Sequence, residues 1–221
     1  KALLRYRSAL TGFKVMLKNM VHAILARNHI EDEGFRSLTD KFGKKGMEYL
    51  RAVKLRCNDT GVLNNYLDIL EVLEDKRRLV DSQIRAEVKS DEVCALLKTL
   101  PGVGGLLSML IRYEIDDIGR FVSAAKLCSY AGLVPRTYSS GKRTYQGRIT
   151  KQGNKWLRWA MVEAAQRAIV SDAGLRAVHH RIAEKKGSKL ARVAVARKLL
   201  QIVYWVWKER RPYRAAALFV V

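Results

Sequence analysis

The sequence predicts a mainly α fold: a helical coiled-coil segment, then a small helical domain carrying a tight glycine turn and a strongly basic loop. Three observations lead there. Leu3, Leu10, Leu17 and Ile24 recur every seven residues, and Tyr6, Phe13 and Met20 follow the first three at a spacing of three, the a/d seam of paired helices. Leu63, Tyr66, Leu70, Leu73, Val80 and Ile84 form a second stripe at helical spacing. From Asp91 onward, apolar helical runs alternate with short glycine-bearing turns. The 221 residues, 48% of them hydrophobic, can bury a core. They divide into a coiled-coil and oligomerisation region, 1–90, and a second domain, 91–221.

Within 1–28, the basic residues Arg5, Arg7, Lys14, Lys18 and Arg27 lie off the predicted seam. They fit a solvated face or a helix lying along a polyanion. Residues 29–60 read as a spacer of shorter helices, broken at Gly34, Gly43, Gly46 and Gly61, with Phe35, Leu38 and Phe42 covering a small core. The stripe of 62–89 marks a long helix, interrupted by Arg77 at a core-type position. It can return antiparallel to the first helix or pair with another copy of the chain. A charge in such a seam weakens it but can fix its register.

The second domain opens with helix, turn and helix around Leu100-Pro101-Gly102-Val103-Gly104, which resembles the hairpin of a helix-hairpin-helix motif. Gly102 and Gly104 permit backbone conformations closed to other residues and leave N–H groups free for a phosphate. Glu114, Asp116 and Asp117 are close enough in sequence to suggest a metal, but such runs more often cap the next helix. No metal site is assigned. A helix follows from Ser123, its N-cap, to Tyr130. Another spans Lys155–Val170, where Leu157, Met161, Ala164, Ala165 and Ala168 suit close packing. Two more precede and follow Gly187-Ser188. Tyr204, Trp205 and Trp207 read as core or interface, and the end beyond Pro212 as loose.

Charge narrows the function. Lys and Arg number 42 against 21 acidic residues, a formal +21, which calls for a polyanionic partner. Nucleic acid fits better than a membrane, because no single amphipathic helix holds the charge. No apolar run approaches the roughly 18 residues of a membrane span, and no signal-peptide pattern is present. Cys57, Cys94 and Cys128 are widely separated, without a paired motif, as in a reducing compartment. His179-His180 has no partner at ligand spacing and reads as surface. The chain starts at Lys1 inside a helical pattern, without Met, as a piece of a longer protein would.

The charge concentrates between Tyr130 and Arg158. No acid occurs from Ile118 to Val162. Arg136, Lys142, Arg143, Arg148, Lys151, Asn154, Lys155 and Arg158 surround Ser139, Ser140 and Gly141. Such basic groups contact phosphates and position nucleic acid, with little sequence information of their own. A hydroxyl among them raises the possibility of chemistry on the phosphate.

The ordered series LPGVG, RF-x-S-A, YAGLVP, SSGK, RITKQGNKWLR, VAVARKLL and PYR resembles the insertion-sequence transposases related to the Piv DNA invertase, the bridge-RNA-guided recombinases. The likeness is strong over 91–214. It is looser over 1–90, where LKN-x-x-HA-x-L spans Leu17–Leu25. It implies that 91–221 is a C-terminal transposase domain and that Ser140, directly before Gly141, is the nucleophile for DNA strand cleavage and exchange, with Ser139 as the alternative. It also implies a RuvC-like domain with an acidic, Mg2+-binding tetrad that would precede Lys1. This chain then has no cofactor of its own and is inactive alone. The implied partners are DNA, a structured guide RNA and further copies of the chain, as a dimer or tetramer through the coiled coil. The implied location is the prokaryotic cytoplasm, at the nucleoid. The competing reading is a non-enzymatic nucleic-acid-binding module.

Overall fold

The computed structural model describes residues 1–30, 33–56, 58–140 and 143–214. Cys57, Gly141 and Lys142 lie outside the described residues. The fold is mainly α, with a single two-stranded sheet among the described residues. It divides into two compact units, Ala2–Gln83 and Ile84 onward.

In the first unit, α1 (Ala2–Arg27) and α4 (Asp59–Ser90, which continues past Gln83) run antiparallel. Their cross-pairs settle the direction: Arg7 Nε bonds Asp81 at 2.5 Å, Lys14 bonds Glu74, and Arg27 Nη2 bonds Asp59 at 2.5 Å. As the position on α1 rises, its partner on α4 falls. The return helix therefore comes from the same chain.

The heptad frame differs from expectation. Leu10, Leu17 and Ile24 are buried, but Tyr6, Phe13 and Met20 are exposed. The second seam position is the one four residues after each leucine. Arg7, Lys14 and Val21 occupy it, with Val21 fully buried. Cations can sit there because α4 answers them with acids. Arg77 joins the same layer, bonding Glu74 at 2.6 Å and Asp81 at 3.1 Å. Hydrogen bonds from Arg77 and then Lys14 hold the Glu74 carboxyl well below its ordinary range, at about 2.

Below this layer the seam is apolar. Leu17, Val21 and Leu25 meet Leu63, Leu67 and Leu70, with Leu50 and Phe35 completing the cluster. Leu38 and Phe42 pack on it as expected. α2 (Glu33–Arg36) and α3 (Lys44–Ala52) supply the shorter helices. Gly61 does not break a helix. It lies in the first turn of α4, where an added Cβ would meet open space.

The second unit is built on α8 (Lys155–Ser171) and α10 (Ser188–Lys208), which pack on each other and on α9 (Ala173–Lys186). Leu157, Ala160, Met161, Ala164, Ala165 and Ala168 are all fully buried. Large side chains of this kind contribute about 1.5–3 kcal/mol each on burial, and the alanines allow close approach. That approach is used by the turn between α5 (Glu92–Leu97) and α6 (Gly105–Ile115). Gly102 has φ +77°, and a Cβ there would stand 2.2 Å from the Ala164 carbonyl oxygen. Only glycine satisfies both conditions.

Tyr204 and Trp207 are buried as expected, and the Tyr204 hydroxyl bonds the Phe121 and Val122 carbonyls at 3.2 Å. Trp205 is half exposed. The segment after Pro212 is not loose through Arg214. Tyr213 donates its hydroxyl to the buried Asp172 at 2.7 Å, and its N–H bonds Thr99 Oγ1 at 2.9 Å. Cys94 and Cys128 are buried free thiols, each pushed by burial to about 11.

Candidate nucleic-acid interface and nucleophile

The basic segment is not a loop but an antiparallel ribbon, β1 (Pro135–Ser140) with β2 (Arg143–Ile149). It grows out of α7 (Ala124–Tyr130), which Ser123 caps as expected. Gly132, at φ +68°, ends α7 through two bonds, Gly132 N–H to Ser129 O and Leu133 N–H to Cys128 O, both 2.9 Å. This is the left-handed closure that favours glycine. The chain then leaves the core and enters β1.

Below the ribbon the two strands remain tied. Thr150 N–H bonds Val134 O at 2.9 Å, and Asn154 N–H bonds Tyr130 O at 2.7 Å. The backbones come close enough that a Cβ on Gly132 would lie 2.4 Å from the Gln152 carbonyl oxygen, and one on Gly153 2.3 Å from that of Tyr130.

Asn154 closes this base. Its Oδ1 accepts from the N–H groups of Trp156 and Leu157 at 3.0 Å, capping α8. Its Nδ2 donates to Glu114 Oε2 at 2.7 Å and to the Tyr130 hydroxyl at 3.2 Å. Glu114 is buried, so this amide holds an inward-facing carboxylate. Arg158 donates to Ala131 O at 2.8 Å. Arg120 lies 4.7 Å from the Phe121 ring centre and 4.8 Å from that of Tyr130. Glu114, Asp116 and Asp117 therefore diverge. Glu114 faces Asn154, Asp117 caps a 3-10 turn through Gly119 N–H at 2.8 Å, and Asp116 takes φ +66°. Among the described residues no group of three or more His, Cys, Asp or Glu is placed to hold a metal ion.

The expected phosphate contacts thus fall into two sets. Arg136, Arg148, Lys151 and Lys155 are exposed on or beside the ribbon. Asn154 and Arg158 spend their polar groups inside the chain, holding the ribbon's base. Gly104, at the start of α6, faces open space, whereas Gly102 packs on α8. Lys142 is outside the described residues, and for Arg143 only the backbone pairing with Ser140 is described.

Ser139 and Ser140 end β1, and both are exposed. Side chains alternate along a strand, so Ser140 shares its face with Tyr138 and Ser139 lies on the other. Neither strand contains His, Asp or Glu. Two residues went unnoticed in the sequence. Tyr138 pairs directly with Tyr145, their rings stacked with centres 5.4 Å apart and planes 21° apart. The signal was there: aromatic and hydroxyl residues crowd both sides of a Gly-Lys pair.

Comparison with known proteins identifies the region around this ribbon. Residues 94–180 match the Transposase IS116/IS110/IS902 family. The matched stretch runs from α5 through the ribbon and α8 into α9. The chain is 38% identical over 124 residues to the pilin gene-inverting protein of Moraxella bovis, covering 54% of this chain and 38% of that protein. It is 28% identical over 141 residues to the transposase for insertion sequence element IS1111A of Coxiella burnetii, covering 62% of this chain and 39% of that one. With the IS1328 transposase of Yersinia enterocolitica it shares 27% over 165 residues, 75% of this chain and 48% of the relative. The chain thus spans less than half the length of these relatives. No helix among the described residues is long and apolar enough to cross a membrane.

Proposed function

We propose that this chain is the part of a DNA transposase or recombinase that grips DNA and supplies the serine nucleophile, Ser140. The observation that carries the reading is the position of Ser140: exposed at the end of a basic two-stranded ribbon, within the stretch that matches the transposase family. The pilin gene-inverting relatives are consistent with strand exchange. In the reaction, a base removes the Ser140 hydroxyl proton. Oγ then bonds to phosphorus, and one phosphorus–oxygen ester bond to a deoxyribose breaks. The departing oxygen takes a proton. Arg136, Arg148 and Lys151 offset the charge on the nonbridging oxygens. A serine hydroxyl needs activation, and the ribbon holds no carboxylate or imidazole, so the base comes from elsewhere.

Among the described residues no acidic cluster fits a Mg2+ site, and no step is derived through one. We assign Mg2+ to a RuvC-like domain outside residues 1–221, in the same polypeptide or a neighbouring copy. Target choice falls to a guide RNA, since exposed basic groups read phosphate and not sequence. The glycine turn at Gly102–Gly104 adds a backbone contact to DNA. Self-association through the helical hairpin is supported by Tyr6, Phe13, Met16 and Met20 on α1 and Ile69, Val72 and Leu79 on α4, all left exposed. The setting is the prokaryotic cytoplasm, on nucleoid DNA.

The test uses the full-length protein with its RNA and end-labelled DNA. A covalent phosphoserine adduct is expected, retained by Ser139→Ala and lost by Ser140→Ala. An adduct that survives Ser140→Ala removes that residue from the role. The isolated chain should act as a binding module whose affinity falls steeply with salt, because it holds cations without the acids of a complete site. Salt-independent binding would count against this.

A further inference from the structure

The ribbon carries an aromatic surface that the reading above does not use. Tyr138 is 46% exposed and Tyr145 64% exposed, yet both belong to a basic stretch without a single acidic residue. Their stacking covers part of each ring, and Tyr145 keeps the larger share exposed. The underside is prepared as well. A Cβ on Gly147 would stand 2.7 Å from Tyr138 Cε2, so the ring lies over a residue with no side chain. The pleat puts Ser140 on the same face as Tyr138, two residues along, about 7 Å at strand rise. Arg136 and Arg148 flank the pair in sequence and are exposed.

A cross-strand aromatic pair stabilises a ribbon, and that alone would explain stacking. It does not explain why so much ring remains exposed beside so many cations. Aromatic faces set in a positive groove are how proteins hold unpaired bases, since every base has a π-face. An antiparallel ribbon is also narrow enough to enter the major groove of a duplex.

We propose that Tyr138 and Tyr145 form a stacking platform for an unpaired DNA base next to the phosphate that Ser140 engages. The substrate at this site is then locally opened DNA and not intact duplex. The link to Ser140 rests on the nucleophile assignment, but the platform can be tested without it.

The 221-residue chain is titrated with a DNA strand carrying 2-aminopurine, alone and fully paired with its complement. The single strand should bind and its fluorescence should be quenched by stacking. The duplex should show little quenching. Replacing both tyrosines with valine keeps a strand-forming pair and removes the rings. Affinity for the single strand should fall roughly 5- to 150-fold and quenching should disappear, with the salt dependence unchanged because no phosphate contact is lost. Tyr138→Phe with Tyr145→Phe should behave as the parent. Undiminished binding and quenching in the valine pair overturn the platform, as does equal quenching by duplex. An RNA strand that binds more tightly than DNA overturns the choice of DNA. In the full-length protein, a covalent adduct retained by Ser140→Ala would end the nucleophile assignment while leaving the platform standing.

Discussion

Replacing Asn154 with alanine removes two separate functions from one side chain, and the structure gives each a size. The cap to Trp156 and Leu157 contributes about 1 kcal/mol. The bond to the buried carboxylate of Glu114, at 2.7 Å, adds about 1.5–3 kcal/mol, because its loss strips a donor from a charged acceptor away from water. The expected cost is about 2.5–4 kcal/mol. All four tryptophans, Trp156, Trp159, Trp205 and Trp207, lie in the second unit. Urea unfolding followed by their fluorescence therefore reports this unit alone. With a slope of about 2 kcal/mol per molar, the midpoint should drop by roughly 1–2 M. Asn154→Ser keeps the cap and loses the reach to Glu114, so it should fall between parent and alanine. Asn154→Asp keeps the cap but sets a second carboxylate against Glu114. It also removes the amide donor to Glu114, so it too should be less stable than the parent. A loss below about 1 kcal/mol for alanine, or a serine variant equal to the parent, would refute the two-function account.

Two further outcomes are expected. Gly102→Ala should cost at least about 2–3 kcal/mol in the same tryptophan assay, since it combines a left-handed backbone with a 2.2 Å collision against Ala164 O; a near-neutral result would mean that the α5–α6 turn can move off α8. For Glu74, a folded-state value near 2 against an ordinary 4.5 means that its contribution is complete above about pH 4.5 and fades as pH falls towards 2. The stability gap between parent and Glu74→Gln, read by circular dichroism, should accordingly close over that interval, and a gap constant from pH 7 to 2.5 would contradict the charge layer.

The helices were legible because each buries a continuous apolar stripe, and period alone finds such stripes. α8 is the clearest case: the residues expected to pack are buried. The seam of α1 was misread for a definite reason. Arg7 and Lys14 occupy seam positions, and a reading by hydrophobicity skips them in favour of Tyr6 and Phe13. Their acidic partners are 60 or more residues away. The ribbon escaped because both its faces meet solvent, so the alternation of apolar and polar residues that marks a half-buried strand is missing. The cap made by Asn154 and its bond to Glu114, 40 residues earlier, have no local signature, because a helix cap and a phosphate ligand use the same side chain. The position of Tyr213 depended on Asp172, 41 residues earlier, which no local pattern reveals. Ser140 was visible as a candidate. That Ser139 and Ser140 face opposite sides of the ribbon follows only from the strand.

The charged layer between α1 and α4 sorts partners by sign. Every seam cation of α1 lies on one helix and both answering acids on the other. Two α1 helices laid side by side in parallel would oppose Arg7 to Arg7 and Lys14 to Lys14. A one-heptad slip against α4 would strand Lys14 against Leu67 or Arg7 against Val88. Each such slip loses one of the two charge pairs, so the charges favour one register among the many that leucine on leucine would tolerate.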